Sequence, residues 1–141
     1  MNFLISLEIS SSGLAAQRKR MDVISSNLAN IETTRTAEGG PYRRKMVVMG
    51  TKQTELSFDC VLDSELEGVR IEEVVEDESP LKKVFNPAHP DSDDKGYLLK
   101  PNVDLIVETT NMLIARRSFE ANIAAIKTAK EMALKALEIG R

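Results

Sequence analysis

Apolar side chains recur at intervals of seven residues near the beginning of the chain. The series comprises Leu7, Leu14, Met21 and Leu28, with Ile24 and Ile31 at the interleaved positions. A narrow stripe with this spacing predicts an α-helix that packs against another helix. The stretch from Ser10 to Gly13 is its weakest part, because serine and glycine are poor helix formers.

The last forty residues or so show a similar periodicity. Apolar positions spaced by three, four and seven are Leu105, Met112, Phe119, Ile123, Ile126, Ala133 and Leu137. Arg116 and Lys130 interrupt this stripe, and their charges are expected to point outward. Asn102 is predicted as the N-cap and Gly140 as the stop of a second long helix, since amide side chains cap helices and glycine ends them.

Short β-type runs replace the helical period in the middle of the chain. They are Met46–Met49, Leu56–Leu62 and Val69–Val75, and their β-branched and aliphatic residues favour strands. Gly39-Gly40-Pro41 and residues 86–96 carry loop signals. A small β-rich module is therefore expected between the two helices.

The predicted fold class is α+β, with long N- and C-terminal helices pairing as a coiled-coil-like domain. The expected parts are an N-terminal helix at 1–31, the β-rich module and its loops at 32–100, and a C-terminal helix at 101–141. Alanines are frequent in the second helix, which allows neighbouring backbones to approach closely. Alanine is equally expected there simply as the best helix former.

Composition and charge exclude several classes of protein. The 141 residues are 42% hydrophobic and 29% charged, with a net charge of -3, whereas a nucleic-acid binder normally has a basic balance focused on one face. The first ten residues lack a basic region and carry Glu8, so neither a cleaved signal peptide nor a membrane anchor is expected. We predict no nucleic-acid binding and no membrane insertion.

The residues needed for catalysis are scarce. His89 and Cys60 are the single histidine and cysteine, so one chain cannot assemble a Ser-His-Asp, Cys-His or zinc site. Residues 91–96 begin like a calcium loop, but Lys95 occupies the fifth ligand position and Asn102 replaces the glutamate at the twelfth. No enzyme activity, metal or cofactor is expected, and a small metal-dependent enzyme is the weakest alternative.

Asn27 and Asn30 lie three residues apart near the end of the first predicted helix, followed by Thr33 and Thr34. This segment resembles the signature of flagellar rod and hook axial proteins, in which Asn-x-Ala-Asn closes the N-terminal helix. Asparagine and threonine can satisfy the unpaired backbone groups of a helix end, or bond a neighbouring subunit.

Two further strings carry the resemblance toward the proximal-rod branch of that family: residues 33–44 (TTRTAEGGPYRR) and 86–91 (NPAHPD). The terminal helix, with FEAN at residues 119–122, also resembles the C-terminal axial motif of the family. The resemblance covers nearly the whole chain, although residues 50–80 match only in general character.

The resemblance implies a structural subunit of the bacterial flagellar basal body that transmits torque in the periplasm-spanning rod. It implies export by the flagellar type III apparatus without signal cleavage, and helical assembly with itself and other rod subunits. The expected assembly interface comprises Leu7, Leu14, Met21, Ile24, Asn27, Leu28, Asn30, Ile31, Met112, Phe119, Asn122, Ile123, Ile126 and Leu137. The alternative is a soluble coiled-coil adaptor or export chaperone, which accounts for the heptads but not for the Asn-x-Ala-Asn segment.

Overall fold

The computed structural model describes residues 3–52 and 68–139, and these form two long helices and two small antiparallel sheets. In chain order the elements are α1 (Phe3–Ala29), β1 (Lys45–Lys52), β2 (Gly68–Glu76), β3 (Lys82–Phe85), β4 (Tyr97–Lys100) and α2 (Leu105–Ile139). The expected α+β class, with helices flanking a small β module, is confirmed. No described helix has an apolar stretch long enough to cross a membrane.

Each sheet consists of one antiparallel strand pair. β1 pairs with β2 from Lys45 opposite Glu76 to Lys52 opposite Gly68, and the register shifts between Val48 and Met49. β3 pairs with β4 from Lys82 opposite Lys100 to Phe85 opposite Tyr97. The runs predicted at 46–49 and 69–75 lie within β1 and β2, whereas the run at 56–62 lies outside the described residues. The β3–β4 pair was not predicted, because both strands have only four residues.

α1 is the centre of the fold, since it contacts α2 on one side and both β1 and β2 on another. The buried apolar residues of the helix pair are small or β-branched: Ala16, Val23, Ile24, Ala115 and Ala129. Small side chains allow the two backbones to approach closely, and at Gly13 a Cβ atom would lie only 3.0 Å from the amide nitrogen of Asn122. Glycine in the weak stretch of α1 therefore makes room for α2.

α2 begins at Leu105 and is capped by Asp104, not by Asn102. The Asp104 carboxylate accepts hydrogen bonds from the backbone N–H of Ile106 at 2.9 Å and of Val107 at 3.2 Å, which is the usual N-cap arrangement. The prediction of Asn102 as the cap was wrong, because its side chain is used elsewhere, as described below. The predicted stop at Gly140 lies outside the described residues.

We expect the cap to make stability depend on pH. Hydrogen bonds from the N–H groups of Val107 and Ile106 lower the pKa of Asp104 below its ordinary value of 3.8. A carboxyl group whose pKa is lower in the folded state stabilises the fold fully above pH 3.8, and this contribution is lost as the pH falls through the lowered pKa. Asp104→Asn keeps a capping oxygen but has no titrating group. The drop in the urea midpoint between pH 7 and a pH below 3.8 should therefore be smaller for this variant than for the unaltered chain. An equal fall in both proteins would contradict this role.

Candidate assembly surface and its supporting junction

The two helices run antiparallel, so the end of α1 meets the start of α2. Asn27 near the end of α1 donates a hydrogen bond to Glu108 in the first turn of α2, while Gly13 faces Asn122 further along. This register brings together five chain segments around Asn27. We call this cluster of Asn27, Arg44, Asp77, Asn102 and Glu108 the junction.

Asn27 is 1% exposed, and both ends of its amide group are fully used. Its nitrogen donates to the carbonyl oxygen of Lys45 at 2.8 Å and to the Glu108 carboxylate at 3.1 Å. Its oxygen accepts from the backbone N–H of Lys45 at 2.9 Å and from the Tyr42 hydroxyl at 3.0 Å. Because asparagine offers two donors and one acceptor oxygen with two lone pairs, no bonding capacity is left for another molecule.

Glu108 is equally buried, and its carboxylate forms an ion pair within the junction. Its second oxygen accepts from Nε of Arg44 at 2.8 Å, and a terminal nitrogen of Arg44 lies 3.2 Å from the Asp77 carboxylate. Burial alone would lower the pKa of Arg44, but hydrogen bonds and charge from Glu108 and Asp77 outweigh it and raise the pKa overall. The guanidinium thus joins the start of α2 to the end of β2.

Asn102 fixes the other connections of the β module. Its oxygen accepts from the backbone N–H of Arg44 at 2.8 Å, and its nitrogen donates to the carbonyl oxygens of Asp77 at 3.0 Å and Ser79 at 3.3 Å. The backbone N–H of Asp77 donates in turn to the carbonyl oxygen of Arg44 at 2.8 Å. The β module is therefore held to the helix pair by hydrogen bonds that converge at one point.

The side chains of Asn30 and Thr33 form hydrogen bonds just after the C-terminal end of α1. The Asn30 side chain donates to the carbonyl oxygen of Ser26 at 2.8 Å and accepts from the Thr33 hydroxyl at 3.2 Å. The backbone N–H of Tyr42 donates to the carbonyl oxygen of Thr33 at 3.1 Å, so the loop that follows α1 returns to the helix end. The two asparagines of the signature thus have different roles, one in the junction and one at the helix end.

The expected interface residues separate into two groups in the structure. Most are partly or fully covered within the chain: Leu7, Leu14, Met21, Ile24, Asn27, Leu28, Asn30, Ile31, Met112, Phe119, Asn122 and Ile126. Ile123 and Leu137 are exposed. Arg116 and Lys130 are exposed as well.

α2 has a second apolar stripe on the side that turns away from α1. Val107, Ile114 and Met132 are exposed there, and Ala121 and Ala125 continue the same stripe between them. Within the described residues, no strand packs against α2. Apolar side chains arranged continuously along an exposed helix face usually mark a site of protein contact.

Comparison with known proteins places these features in a family. The family model described as "Flagella basal body rod protein" matches residues 7–35, and the one described as "Flagellar basal body rod FlgEFG protein C-terminal" matches residues 94–139. The flagellar basal-body rod protein FlgC of Bacillus subtilis is 44% identical over 96% of this chain and 97% of its own length. FlgC of Borreliella burgdorferi is 42% identical over 99% and 98%, and FlgC of Salmonella typhimurium is 39% identical over the whole of both chains.

The chain belongs to the FlgC family of flagellar basal-body rod proteins. The resemblance stated from the sequence is confirmed, as is the function of a structural subunit of the flagellar basal-body rod. Its FlgC relatives are structural rod proteins and not enzymes. The first family model covers most of α1 and the start of the loop after it, and the second covers β4 and α2. Neither model covers residues 36–93, which include the region around 50–80 that matched the family only in general character.

Sequence reasoning missed Glu108, a partner of Asn27 in this FlgC-family chain, and Arg44, which pairs with Glu108. Arg44 was quoted only as part of a loop string, and Glu108 was not considered, because a buried glutamate is rare unless it is paired. A usable signal was nevertheless present. Stepping by four and three from Glu108 reaches the positions that α1 covers: Met112, Ala115, Phe119, Asn122, Ile126 and Ala129.

The acidic turn that begins like a calcium loop is held by hydrogen bonds. The backbone N–H of Gly96 donates to the carbonyl oxygen of Asp93 at 2.7 Å, and the Asp91 carboxylate accepts from the Thr34 hydroxyl at 2.8 Å. Within residues 3–52 and 68–139, no three histidine, cysteine or acidic side chains are grouped so that they could hold a metal ion.

Proposed function

We propose that this chain builds the proximal segment of the flagellar rod, in a helical assembly with copies of itself and with other rod subunits. Export through the flagellar type III apparatus, in an unfolded form and without signal cleavage, would bring it to the periplasm. The observation that carries the proposal is the second apolar stripe of α2, which α1 leaves exposed.

We propose that α1 and α2 pair in a coiled-coil-like manner and form the axial layer of the rod. The alternating four- and three-residue spacing of the covered positions on α2 supports this, because it is the repeat of a coiled-coil seam. The expected parts at 1–31, 32–100 and 101–141 then correspond to two axial helices and an inserted module. The junction would pass torsional load from the module to the helix pair.

The predicted interface residues take two roles in this proposal. Ile24, Asn27 and the other covered positions would act indirectly, because they hold the helix pair in the shape that neighbours recognise. Ile123 and Leu137 would contact neighbouring subunits directly, together with the outer stripe of Val107, Ile114, Ala121, Ala125 and Met132. Contacts between unlike surfaces produce a helical tube when the rotation between subunits does not close a ring.

Introducing a charge on the outer stripe tests the proposal. In a strain that lacks the gene and carries a plasmid copy, Ala121→Glu should fold normally but leave the membrane ring without a rod, because the added carboxylate loses its hydration in the contact. The matched control is Lys127→Glu on the charged flank of α2, which should restore swimming. Electron microscopy of purified basal bodies and urea unfolding of the purified proteins measure the two effects.

The opposite results are equally clear. Normal rods built from Ala121→Glu would exclude the outer stripe from the assembly. Exclusive recovery of the chain from the cytosol would favour the soluble adaptor or export chaperone.

Charged replacements at both Met21 and Ile126 should also stop swimming, through loss of the helix pair itself.

A further inference from the structure

The β3–β4 hairpin presents an exposed aromatic pair on one of its faces. Phe85 and Tyr97 are opposite each other in the register, and their rings meet edge to face with centroids 5.4 Å apart. Phe85 is 65% exposed and Tyr97 is 47% exposed, whereas Leu98 on the other face is buried. Among the described helices and strands none packs on this hairpin, because β3 and β4 contact only each other. The two rings therefore remain accessible to a ligand.

Tyr97 also borders an open groove of about 730 Å³ on the surface. The other polar residues that line the groove supply two carboxylates, two ammonium groups and one hydroxyl: Asp93, Asp94, Lys83, Lys95 and Ser92. We call these five residues and Tyr97 the hairpin groove. Its lining combines one aromatic ring with an equal number of positive and negative charges.

The charges of the hairpin groove are not neutralised within the described part of the chain. Neither of its carboxylates and neither of its ammonium groups forms an ion pair there, since the ion pairs involve other residues. The Tyr97 hydroxyl has no hydrogen-bond partner among the described residues either. The Ser92 hydroxyl donates to the carbonyl oxygen of His89 at 2.7 Å and keeps its own lone pairs as acceptors. These groups are available to a ligand.

The loop between β3 and β4 holds the groove in shape. The backbone N–H of Asn86 donates to the carbonyl oxygen of Gly96 at 2.9 Å, and that of Asp93 donates to the carbonyl oxygen of Tyr97 at 2.9 Å. Gly96 itself has a φ of +77°, and a Cβ atom there would lie 3.0 Å from the Phe85 ring. A site that is already ordered loses little conformational entropy when it binds a ligand.

A ligand for this groove must satisfy charges of both signs beside an aromatic ring. A protein surface of one dominant sign would meet like charges on half of the charged lining, which costs binding free energy. A sugar hydroxyl suits either sign, because it donates to a carboxylate and accepts from an ammonium group. The C–H groups on the face of a pyranose ring pack on the electron-rich face of an aromatic side chain. The lining of the hairpin groove therefore favours a glycan.

We propose that the hairpin groove binds a glycan strand of peptidoglycan. The sugars of this polymer carry acetamido groups, and its stem peptides carry both carboxylates and amino groups, so the lysines and the aspartates of the groove both find partners. A polysaccharide whose charges are phosphates would satisfy only the lysines. The basal-body rod lies in the envelope compartment that contains this polymer. The contact goes beyond the assembly proposed above, because it uses neither helix.

Co-sedimentation of the purified full-length chain with insoluble peptidoglycan sacculi tests the binding. The unaltered chain should bind saturably, since a sacculus presents many strands to a groove that is individually weak. Tyr97→Thr, which keeps a strand-forming residue but removes the ring, should lower the apparent affinity about tenfold. An unaltered chain that stays in the supernatant, or a Tyr97→Thr variant that binds as well as the unaltered chain, would overturn the proposal.

A second variant leaves the packing of the hairpin intact. Asp94→Asn combined with Lys95→Gln removes one charge of each sign from exposed side chains, and it should lower the apparent affinity about fivefold. The matched control is Glu131→Gln combined with Lys135→Gln on the exposed side of α2, which should bind like the unaltered chain. Equal affinities of these two double variants would exclude the groove as the binding site.

Soluble competitors distinguish the sources of the ligand. Muropeptides, which combine the sugars with a stem peptide, should displace the chain from sacculi at about tenfold lower concentration than uncharged chitin oligomers. Lipopolysaccharide, whose charges are mainly anionic, should not displace it. Displacement by lipopolysaccharide as effective as that by muropeptides would overturn the assignment to peptidoglycan. Displacement by chitin oligomers as effective as that by muropeptides would contradict the role of the lysines and aspartates.

Discussion

Asn27→Leu should lower the free energy of unfolding by about 4 kcal/mol in urea denaturation. The substitution leaves the backbone N–H and carbonyl of Lys45 and one Glu108 oxygen without a partner in a site that is 1% exposed, and the Tyr42 hydroxyl keeps only its 3.4 Å hydrogen bond with the Ser26 hydroxyl. Each buried polar group that loses its partner costs about 1–3 kcal/mol, and the added apolar volume of leucine offsets part of the sum.

Asn30→Leu is the matched control, because it makes the same substitution three residues away in the same signature. The hydrogen bond from Asn30 to Ser26 is exposed to solvent, so water can replace it and the loss should stay below about 1 kcal/mol. Equal losses for the two variants would show that Asn27 acts only as a helix stop.

Glu108→Ala should cost about 3 kcal/mol of unfolding free energy, the second-largest effect expected. Removing one partner of a buried ion pair leaves the other charge uncompensated, here the guanidinium of Arg44. Asp77 remains beside that guanidinium, which keeps the loss at the lower end of the usual range. A double-mutant cycle with Arg44→Ala should give a coupling energy above about 1 kcal/mol.

Glu120→Ala on the same helix provides the comparison. Its carboxylate also pairs with arginines, Arg116 at 3.0 Å and Arg117 at 3.1 Å, but all three groups lie at the surface, where such pairs contribute little. The urea midpoint should therefore not change measurably. A coupling energy near zero between Arg44 and Glu108 would mean that the junction is no stronger than this surface cluster.

The helices could be predicted from the sequence because their periodicity is long and local. α1 begins and ends within two residues of the predicted range, while α2 begins four residues later than the part predicted for it. The error at the start of α2 has a physical cause. Asn102 and Asp104 are both good caps, and the choice between them depends on whether Arg44, 58 positions away, recruits Asn102.

The partners of Asn27 could not be predicted for a related reason. Hydrophobicity selects apolar residues, so it placed the exposed Ile123 on the α2 stripe, whereas α1 covers Ala115 and Ala129. Helix packing at close distance favours small residues, and a paired glutamate can replace an apolar one at the seam. A search for apolar periodicity passes over polar residues that are buried through distant partners, even where, like Glu108, they fall on the four-and-three repeat of the covered positions.

The junction also bears on how the chain reaches its native state. The hydrogen bond between Asn27 and Glu108 spans 81 positions, and contacts between residues so far apart slow folding because a large loop must close first. The chain up to Glu108, about three-quarters of its 141 residues, must be present before the last of these bonds can form. A chain whose first helix is already present would therefore lack these bonds, and would reach its final structure only after its second helix has formed.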